Sequence, residues 1–234
     1  MGINELLLFV TAILSASIVF FAWRMSKERL YSAIIVFLIL IGTLGGKLVE
    51  FFGHTTNTGN IFYASVYLAT YFLIERFGKR EGVRSVWIGV GAVILYFILA
   101  QMTVDLAGNQ SSGSFNGALS IIFNLSSRIT FASIIAYAVS QTLNVYLYIT
   151  LKRRLNDTRL WLRVNISNAF AQTVDSVVFF SIAFWGVVPP GNIGDVIMTG
   201  FVIKVVYMML ASPLLYLNNV EEDEGRGYSS IILR

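Results

Sequence analysis

Long apolar runs alternate with short polar segments along the whole chain. Seven runs can be drawn, at about 5–23, 31–49, 61–77, 86–106, 127–150, 164–185 and 196–216. A helix needs about 20 apolar residues to cross the hydrocarbon core, because each residue advances it by about 1.5 Å. The pattern therefore predicts an all-α, polytopic membrane protein with about seven transmembrane helices in one domain, residues 1–217.

The segments outside these runs predict three further features. Residues 107–117, AGNQSSGSFNG, are rich in glycine and serine, which favours a flexible loop. Residues 118–126 are apolar but short, and we expect an interfacial or re-entrant helix there. The segment 218–234 contains the acidic run EEDE and predicts a disordered tail.

Composition agrees with a membrane protein. The chain is 56% hydrophobic and only 13% charged, whereas soluble domains average about 25% charged residues. There is no cysteine, which excludes disulfides and thiolate metal sites, and His54 is the single histidine. We therefore expect no metal and no cofactor. The first apolar run lacks a basic leader and a small-residue cleavage site, so we interpret it as a mature span.

The basic residues predict the orientation in the membrane. Twelve of the 17 lie in the loops 24–30, 76–85 and 152–163, and the alternate loops 50–60, 107–117 and 186–195 contain none. Cytoplasmic loops carry the excess of lysine and arginine. The amino terminus is then outside and the carboxyl terminus is cytoplasmic. Because the net charge of +4 comes from loops that flank a membrane, it does not indicate nucleic acid.

Polar side chains recur at helical spacing within three of the spans. The spacings of three or four residues place each set on one helix face. The sets are Tyr63, Tyr67 and Tyr71 in the third span, Tyr137, Gln141, Asn144 and Tyr148 in the fifth, and Asn165, Asn168, Gln172 and Asp175 in the sixth. Together they could line a cavity for a planar solute, with aromatic rings stacking on it and amides and a carboxylate reading its edge.

Asp175 is a candidate for substrate binding, and three charged residues, Lys204, Arg128 and Glu75, are candidates for charge balance or coupling. Asp175 lies about 16 Å into the sixth span and Lys204 about 13 Å into the last, so we expect the two to pair. Arg128 opens the fifth span on the outer side, and Glu75 ends the third on the cytoplasmic side. Intramembrane charges are costly, at about 2.5–3.5 kcal/mol on insertion scales, and they often mark function.

Each of these residues also has a structural interpretation. Asn165 and Asn168 could hold helices together. Tyr63 is placed in the interfacial aromatic belt, since tyrosines near span ends usually lie there. Glu75 could be interfacial, and Asp175 with Lys204 could be a purely structural ion pair.

Several segments resemble one known family, in the family's own order. They include GKLVEFFG (46–53), IFYASVYLATYFLIERFGK (61–79), SRITFASIIAYAVSQTLN (127–144), AQTVDSVVFFSIAFWG (171–186) and FVIKVVYMMLASPLLY (201–216). The chain resembles the queuosine precursor transporter family, also called the VUT or YhhQ family. That resemblance implies import of a guanine-like base such as 7-cyano-7-deazaguanine. It also implies that Asp175 falls on a family aspartate, and that Glu75, Arg128, Tyr137, Gln141 and Lys204 fall on matching positions.

Two positions depart from the family's motifs. The motif Y-L-x-T-D stands here as YLATY, with Tyr71 in place of aspartate, and Q-x-x-D stands as QTLN, with Asn144 in place of aspartate. Two membrane carboxylates are therefore missing, which puts the substrate or the coupling in question.

Some of these features also fit functions other than base transport. A transporter of another nucleobase or of a vitamin uses the same features. A retinal photoreceptor would use Lys204 as a Schiff base, but Gly200, one turn earlier, offers it no counter-ion. An enzyme is not expected, because the H-E-x-x-H and G-x-S-x-G motifs are missing from the sequence. The expected partners are a small-molecule substrate and the lipid bilayer; a homodimer remains an alternative to a monomer.

Overall fold

A computed structural model describes residues 2–109, 113–123, 127–155, 159–184 and 194–217. The side chains of 127–129, 184, 195 and 196 are outside that description. The side chain of Arg128 and the predicted tail 218–234 therefore lie outside the described part of the structure.

Helices dominate the described chain. Their bounds are α1 Ile3–Met25, α2 Lys27–Leu44, α3 Gly59–Phe77, α4 Lys79–Asp105, α5 Gly113–Phe123, α6 Ser127–Arg154, α7 Leu160–Phe184 and α8 Gly194–Ala211, with a 3₁₀ turn Ser212–Tyr216 after α8. Single residues separate consecutive helices at Ser26 and Gly78. Gly78 has φ of 87°, which glycine adopts without steric cost, so the chain can turn sharply from α3 into α4.

Five of the described helices are long and apolar enough to cross a membrane: Ile3–Met25, Lys79–Asp105, Thr130–Arg154, Leu160–Ala183 and Ile197–Tyr216. Their outer faces carry exposed large apolar side chains, among them Leu14, Phe21, Leu95, Phe170 and Leu210. Such surface is tolerated against lipid and is rare on soluble monomers. The protein is therefore an all-α, multi-pass membrane protein, and the count of seven spans stays a prediction that includes α2 and α3.

Helix α3 lies at the centre of the bundle. It packs against α1, α2, α4, α6 and α8, and most of its residues are buried by protein. Phe72 stacks on the buried ring of Trp23 in α1, with 5.0 Å between ring centroids. Because protein rather than lipid surrounds α3, it can carry a face of tyrosines that a lipid-exposed helix could not hold at mid-membrane.

The structure differs from the sequence prediction at the outer end of the second span. The predicted span 31–49 ends early, at Leu44, and an antiparallel hairpin of β1 Leu48–Phe51 and β2 His54–Asn57 follows it. Phe52 and Gly53 form its two-residue turn, both with positive φ. Two such residues give the turn that matches the twist of paired strands. The connection predicted at 50–60 therefore contains part of a β-hairpin, which the apolar pattern did not predict.

The short fifth helix is displaced relative to its prediction. It begins at Gly113 and ends at Phe123, whereas the apolar pattern placed it at 118–126. It takes up part of the glycine- and serine-rich segment that was predicted as loop. None of its side chains is buried, so a membrane surface is the environment that suits its apolar residues.

Candidate functional site

Buried and partly buried polar side chains line up between α3, α6 and α7. We call this set the polar column. Its members are Tyr63, Tyr67, Tyr71 and Glu75 of α3, Ser140, Gln141, Asn144, Tyr148 and Lys152 of α6, and Arg163, Ser167, Asn168, Gln172 and Asp175 of α7, with Lys204 of α8. From Tyr63 to Glu75 it covers 12 residues of α3, about 18 Å of helix. A column of this length reaches across much of the hydrocarbon core.

The register between the helices determines which polar residues contact one another. Helix α7 runs antiparallel to α3, and the contacts between them fall at one constant register: Tyr63 with Asp175, Tyr71 with Ser167, and Glu75 with Arg163. Helix α6 runs parallel to α3 and opposite to α7. The predicted stripes on three spans therefore face one another, as the helical spacing suggested, except at Asn165, whose amide donates to Ser212 in the 3₁₀ turn after α8.

The outer level of the column is centred on Asp175. The phenol of Tyr63 donates to Asp175 Oδ1 at 2.6 Å, and Ser140 Oγ donates to the same oxygen at 3.2 Å. Lys204 Nζ lies 3.9 Å from Asp175 Oδ2 and 5.1 Å from the centroid of the Tyr63 ring. The expected pairing of Asp175 with Lys204 is confirmed. The placement of Tyr63 in an interfacial belt is wrong, because its hydroxyl points inward to the carboxylate.

The middle level contains the two positions that depart from the family motifs. Tyr71 is fully buried, and its phenol donates to Asn144 Oδ1 at 2.7 Å. The same hydroxyl lies 2.9 Å from Ser167 Oγ and 3.2 Å from the carbonyl oxygen of Val164. One turn nearer the outer side, Tyr67 donates to Ser140 Oγ at 3.1 Å. Tyr71 is thus fixed by hydrogen bonds.

Three amides at this depth keep unused hydrogen-bonding groups. Gln141, Asn168 and Gln172 have no exposed surface. Asn144 donates to Gln141 Oε1 at 3.4 Å, and Gln172 Nε2 donates to Asn168 Oδ1 at 3.5 Å. Within the described part of the chain, Gln141 Nε2, Asn168 Nδ2 and Gln172 Oε1 are buried and have no hydrogen-bond partner. Buried polar groups are paired in the large majority of cases, so such a cluster needs an explanation.

The inner level is a buried ionic cluster around Glu75. Arg163 Nη2 lies 2.8 Å from Glu75 Oε2, while Lys152 Nζ lies 3.0 Å and the Tyr148 hydroxyl 2.7 Å from Glu75 Oε1. Arg163 also donates from Nε to the Tyr148 hydroxyl at 3.0 Å. The interfacial interpretation of Glu75 is wrong, because its side chain is only 3% exposed. Arg163, counted above as a loop cation, is equally buried.

Tyr137 contributes packing at the outer level. Its ring lies edge-on to that of Tyr63 at 6.3 Å, and its hydroxyl abuts Gly89 of α4. A Cβ at position 89 would lie 2.6 Å from that hydroxyl oxygen. Tyr137 therefore lies between Tyr63 and α4, at the edge of the column.

Three residues of the polar column were not predicted as site residues: Ser140, Ser167 and Arg163. Serine hydroxyls on helices commonly bond back to the preceding turn, as Ser167 also does to Arg163 O, so their type alone does not single them out. Arg163 stood in a run of basic residues at a span end, where long cations usually reach toward the interface. The one feature that could have indicated Arg163 is Glu75, a carboxylate predicted at the same cytoplasmic side of the membrane and in need of a cationic partner.

A separate cavity of about 300 Å³ lies on another side of the bundle, between α4, α5 and α6. Its lining is almost wholly apolar and includes Ile98 and Phe131, which are more than half exposed. This is a groove suited to lipid contact. It contains none of the predicted site residues.

Comparison with known proteins gives one consistent family. Residues 57–218 match the family described as "Putative vitamin uptake transporter". A "Probable queuosine precursor transporter" of Bacillus subtilis (strain 168) is 33% identical over 171 residues, which cover 73% of this chain and 74% of the relative. A "Queuosine precursor transporter" of Escherichia coli (strain K12) is 28% identical over 167 residues, 68% of this chain and 72% of the relative. No solved structure gives a significant match.

The family match covers α3 to α8, which include the helices that build the polar column, and the relatives are named as transporters. The chain therefore belongs to the queuosine precursor transporter family, and it is a multi-pass transporter of the cell membrane.

Proposed function

We propose that the protein imports a small planar nitrogenous base, a 7-deazaguanine precursor of queuosine or archaeosine such as 7-cyano-7-deazaguanine. The names of the two relatives support this substrate class. The observation that carries the proposal is the partly buried carboxylate of Asp175, paired with Lys204, at one end of a column of tyrosines and amides.

Asp175 has the chemistry to anchor a guanine-like base. A carboxylate can accept the ring N–H and the exocyclic amine of guanine together, in a charge-assisted bidentate pair. Oδ1 accepts from Tyr63 and Ser140, so its bond to the base would take the place of the longer, 3.2 Å bond from Ser140, while Tyr63 holds the group in place. Oδ2 is 3.9 Å from Lys204 Nζ, beyond hydrogen-bond distance, and is free to accept from the base.

The rest of the outer and middle levels would position the ring. Tyr67 offers a face for stacking next to Asp175, and Gln141, Asn144, Asn168 and Gln172 supply hydrogen bonds deeper in the column. The base enters from the outside between α3, α6 and α7. The ionic cluster of Glu75, Lys152 and Arg163 closes the cytoplasmic end, and alternating access requires that this end open and the outer end close.

Two other functions would give different results in the binding experiment described below. A different nucleobase or a vitamin would use the same column, and the family description names vitamin uptake. For the photoreceptor, the counter-ion missing from α8 is in fact available from Asp175 on α7. Family membership nevertheless points to transport, and purified protein without visible colour would agree with it.

The test is equilibrium binding by detergent-solubilised protein to 7-cyano-7-deazaguanine, guanine, adenine and thiamine. We expect saturable binding of the deazaguanine and its loss in Asp175→Asn. The matched control is Asp105→Asn, the same chemical change at the exposed end of α4, which should bind as the wild type does. Because Asp175→Asn leaves Lys204 buried without its carboxylate, Asp175→Asn/Lys204→Met tests the same loss without an unpaired charge.

Two results would contradict the proposal. Normal binding by both Asp175 variants would remove Asp175 as the anchor. Binding of adenine or thiamine without any guanine-like compound would show that the substrate class has changed together with the residues at positions 71 and 144.

A further inference from the structure

The three unpaired amide groups have a specific hydrogen-bonding pattern. Gln141 Nε2 and Asn168 Nδ2 are donors, and Gln172 Oε1 is an acceptor. All three side chains are fully buried. A buried polar atom without a partner destabilises the folded protein, and a bound ligand that supplies the partner would relieve that cost.

The register places the three groups on two neighbouring helix turns, on the cytoplasmic side of Asp175. Ser140 on α6 faces Asp175 on α7, and Tyr148 faces Arg163, so the residues between them are matched as well. Gln141 then lies opposite Gln172, and Asn144 lies opposite Asn168. Gln172 and Asn168 are three and seven residues from Asp175 along α7, or about 5 and 10 Å toward the cytoplasm. A bicyclic base anchored at Asp175 extends over that distance.

We infer that Gln141, Asn168 and Gln172 form a specificity subsite that reads the far edge of the base and selects a hydrogen-bond acceptor as the substituent on its five-membered ring. This rests on the proposed function, because Asp175 must take the guanine edge first. The remaining edge of such a base presents the ring carbonyl and the substituent side by side, and these meet two donors. The pyrrole N–H meets the acceptor of Gln172. A nitrile completes the match, whereas hydrogen at that position leaves one buried donor unpaired.

The discriminating measurement is a ratio of dissociation constants, that of unsubstituted 7-deazaguanine divided by that of 7-cyano-7-deazaguanine. A site that hydrogen-bonds a substituent rejects the analogue that lacks it, because its buried groups are left unpaired. We expect a wild-type ratio of about ten or more, the fold-change of one good hydrogen bond to a buried donor. A wild-type ratio near one would overturn the inference without the use of any variant.

Variants assign the effect to the amides. Asn168→Leu removes the donor farther from Asp175, which faces the substituent, and should lower the ratio toward one while binding of unsubstituted 7-deazaguanine changes by no more than about threefold. Gln141→Leu removes the donor to the ring carbonyl, which both bases carry, and should weaken both by a similar factor. The control is Asn165→Leu on the same helix. Its oxygen is also buried and unpaired, but its nitrogen donates to the Trp161 carbonyl oxygen and to Ser212 Oγ, so the amide faces the 3₁₀ turn after α8 and not α6; its ratio should stay that of the wild type. Asn168→Ala and Gln141→Met replace any leucine variant that does not fold.

The outcomes separate this inference from the proposed function. If both bases bind the wild type and Asn168→Leu weakens both by the same factor, the amides do not read the substituent and the subsite is wrong. If neither deazaguanine binds, the proposed function itself fails, and the subsite fails with it.

Discussion

The phenol of Tyr71 donates a 2.7 Å hydrogen bond to the amide oxygen of Asn144. The two positions at which the chain departs from its family's motifs are therefore in direct contact, and both side chains are fully buried. A neutral hydrogen-bonded pair stands where two carboxylates are expected. The joint change is physically reasonable, because a lone carboxylate beside a neutral partner would be a buried charge without compensation.

Removing the Tyr71 hydroxyl should destabilise the fold. Tyr71→Phe leaves the buried oxygen of Asn144 without this donor, and we expect the free energy of unfolding in mixed micelles to fall by about 1–3 kcal/mol. Tyr71→Phe/Asn144→Leu should cost less than the sum of the two single changes, since no orphaned amide remains. Tyr146→Phe, at a half-exposed position of α6, should stay within about 0.5 kcal/mol of the wild type. Additive costs would show that the pair is not coupled.

The buried ionic cluster makes Arg163 a sensitive position. Arg163→Ala removes a charge partner that is 1% exposed and leaves Glu75 insufficiently compensated. Breaking a buried pair from one side typically costs about 3–5 kcal/mol, and we expect a loss of that order in unfolding experiments. Arg153→Ala, one of the exposed cations at the end of α6, is the control and should be nearly neutral. Equal effects at both positions would mean that the Glu75 cluster contributes no more than surface charge.

Two glycines of α4 form a matched pair for testing the contact with Tyr137. A Cβ at Gly89 would lie 2.6 Å from the Tyr137 hydroxyl and 2.9 Å from Leu38 Cδ1, whereas nothing lies within 4 Å of one at Gly91. Gly89→Ala should therefore lower the thermal midpoint in detergent, at a cost of about 1–3 kcal/mol. Gly91→Ala should be neutral or stabilising by up to about 1 kcal/mol, since alanine favours helix. The reverse order would mean that α4 does not pack on α6 in this way.

The orientation is testable because the chain has no cysteine, so introduced thiols are labelled without background. His54→Cys in the hairpin should react with a membrane-impermeant maleimide on intact cells. Arg80→Cys, exposed at the start of α4, should react only after the cells are permeabilised. Both expectations follow from the distribution of basic residues over seven spans. Labelling of Arg80→Cys on intact cells would overturn the orientation.

The separation of long helices from polar loops could be predicted because the bilayer imposes a length and an apolar composition on every crossing. The hairpin at 48–57 could not, since its strands have only four residues each and the alternation is too short to distinguish from a span end. The start of α5 was missed for a related reason. Glycine and serine favour loops on average, and residues 113–117 are helical only because of their environment in the folded protein.

The sequence by itself determined which faces of α3, α6 and α7 are polar, because polar groups at mid-membrane are costly and stand out against an apolar background. It also determined that Asp175 and Lys204 would lie at similar depth. Only the tertiary structure decided the pairing. Tyr63 donates to Asp175, Tyr71 donates to Asn144, and Arg163, predicted as a loop cation, forms a buried ion pair with Glu75. Helical spacing fixes the face on which a side chain lies, whereas its partner depends on the register between helices, which arises from packing along the whole length of the bundle.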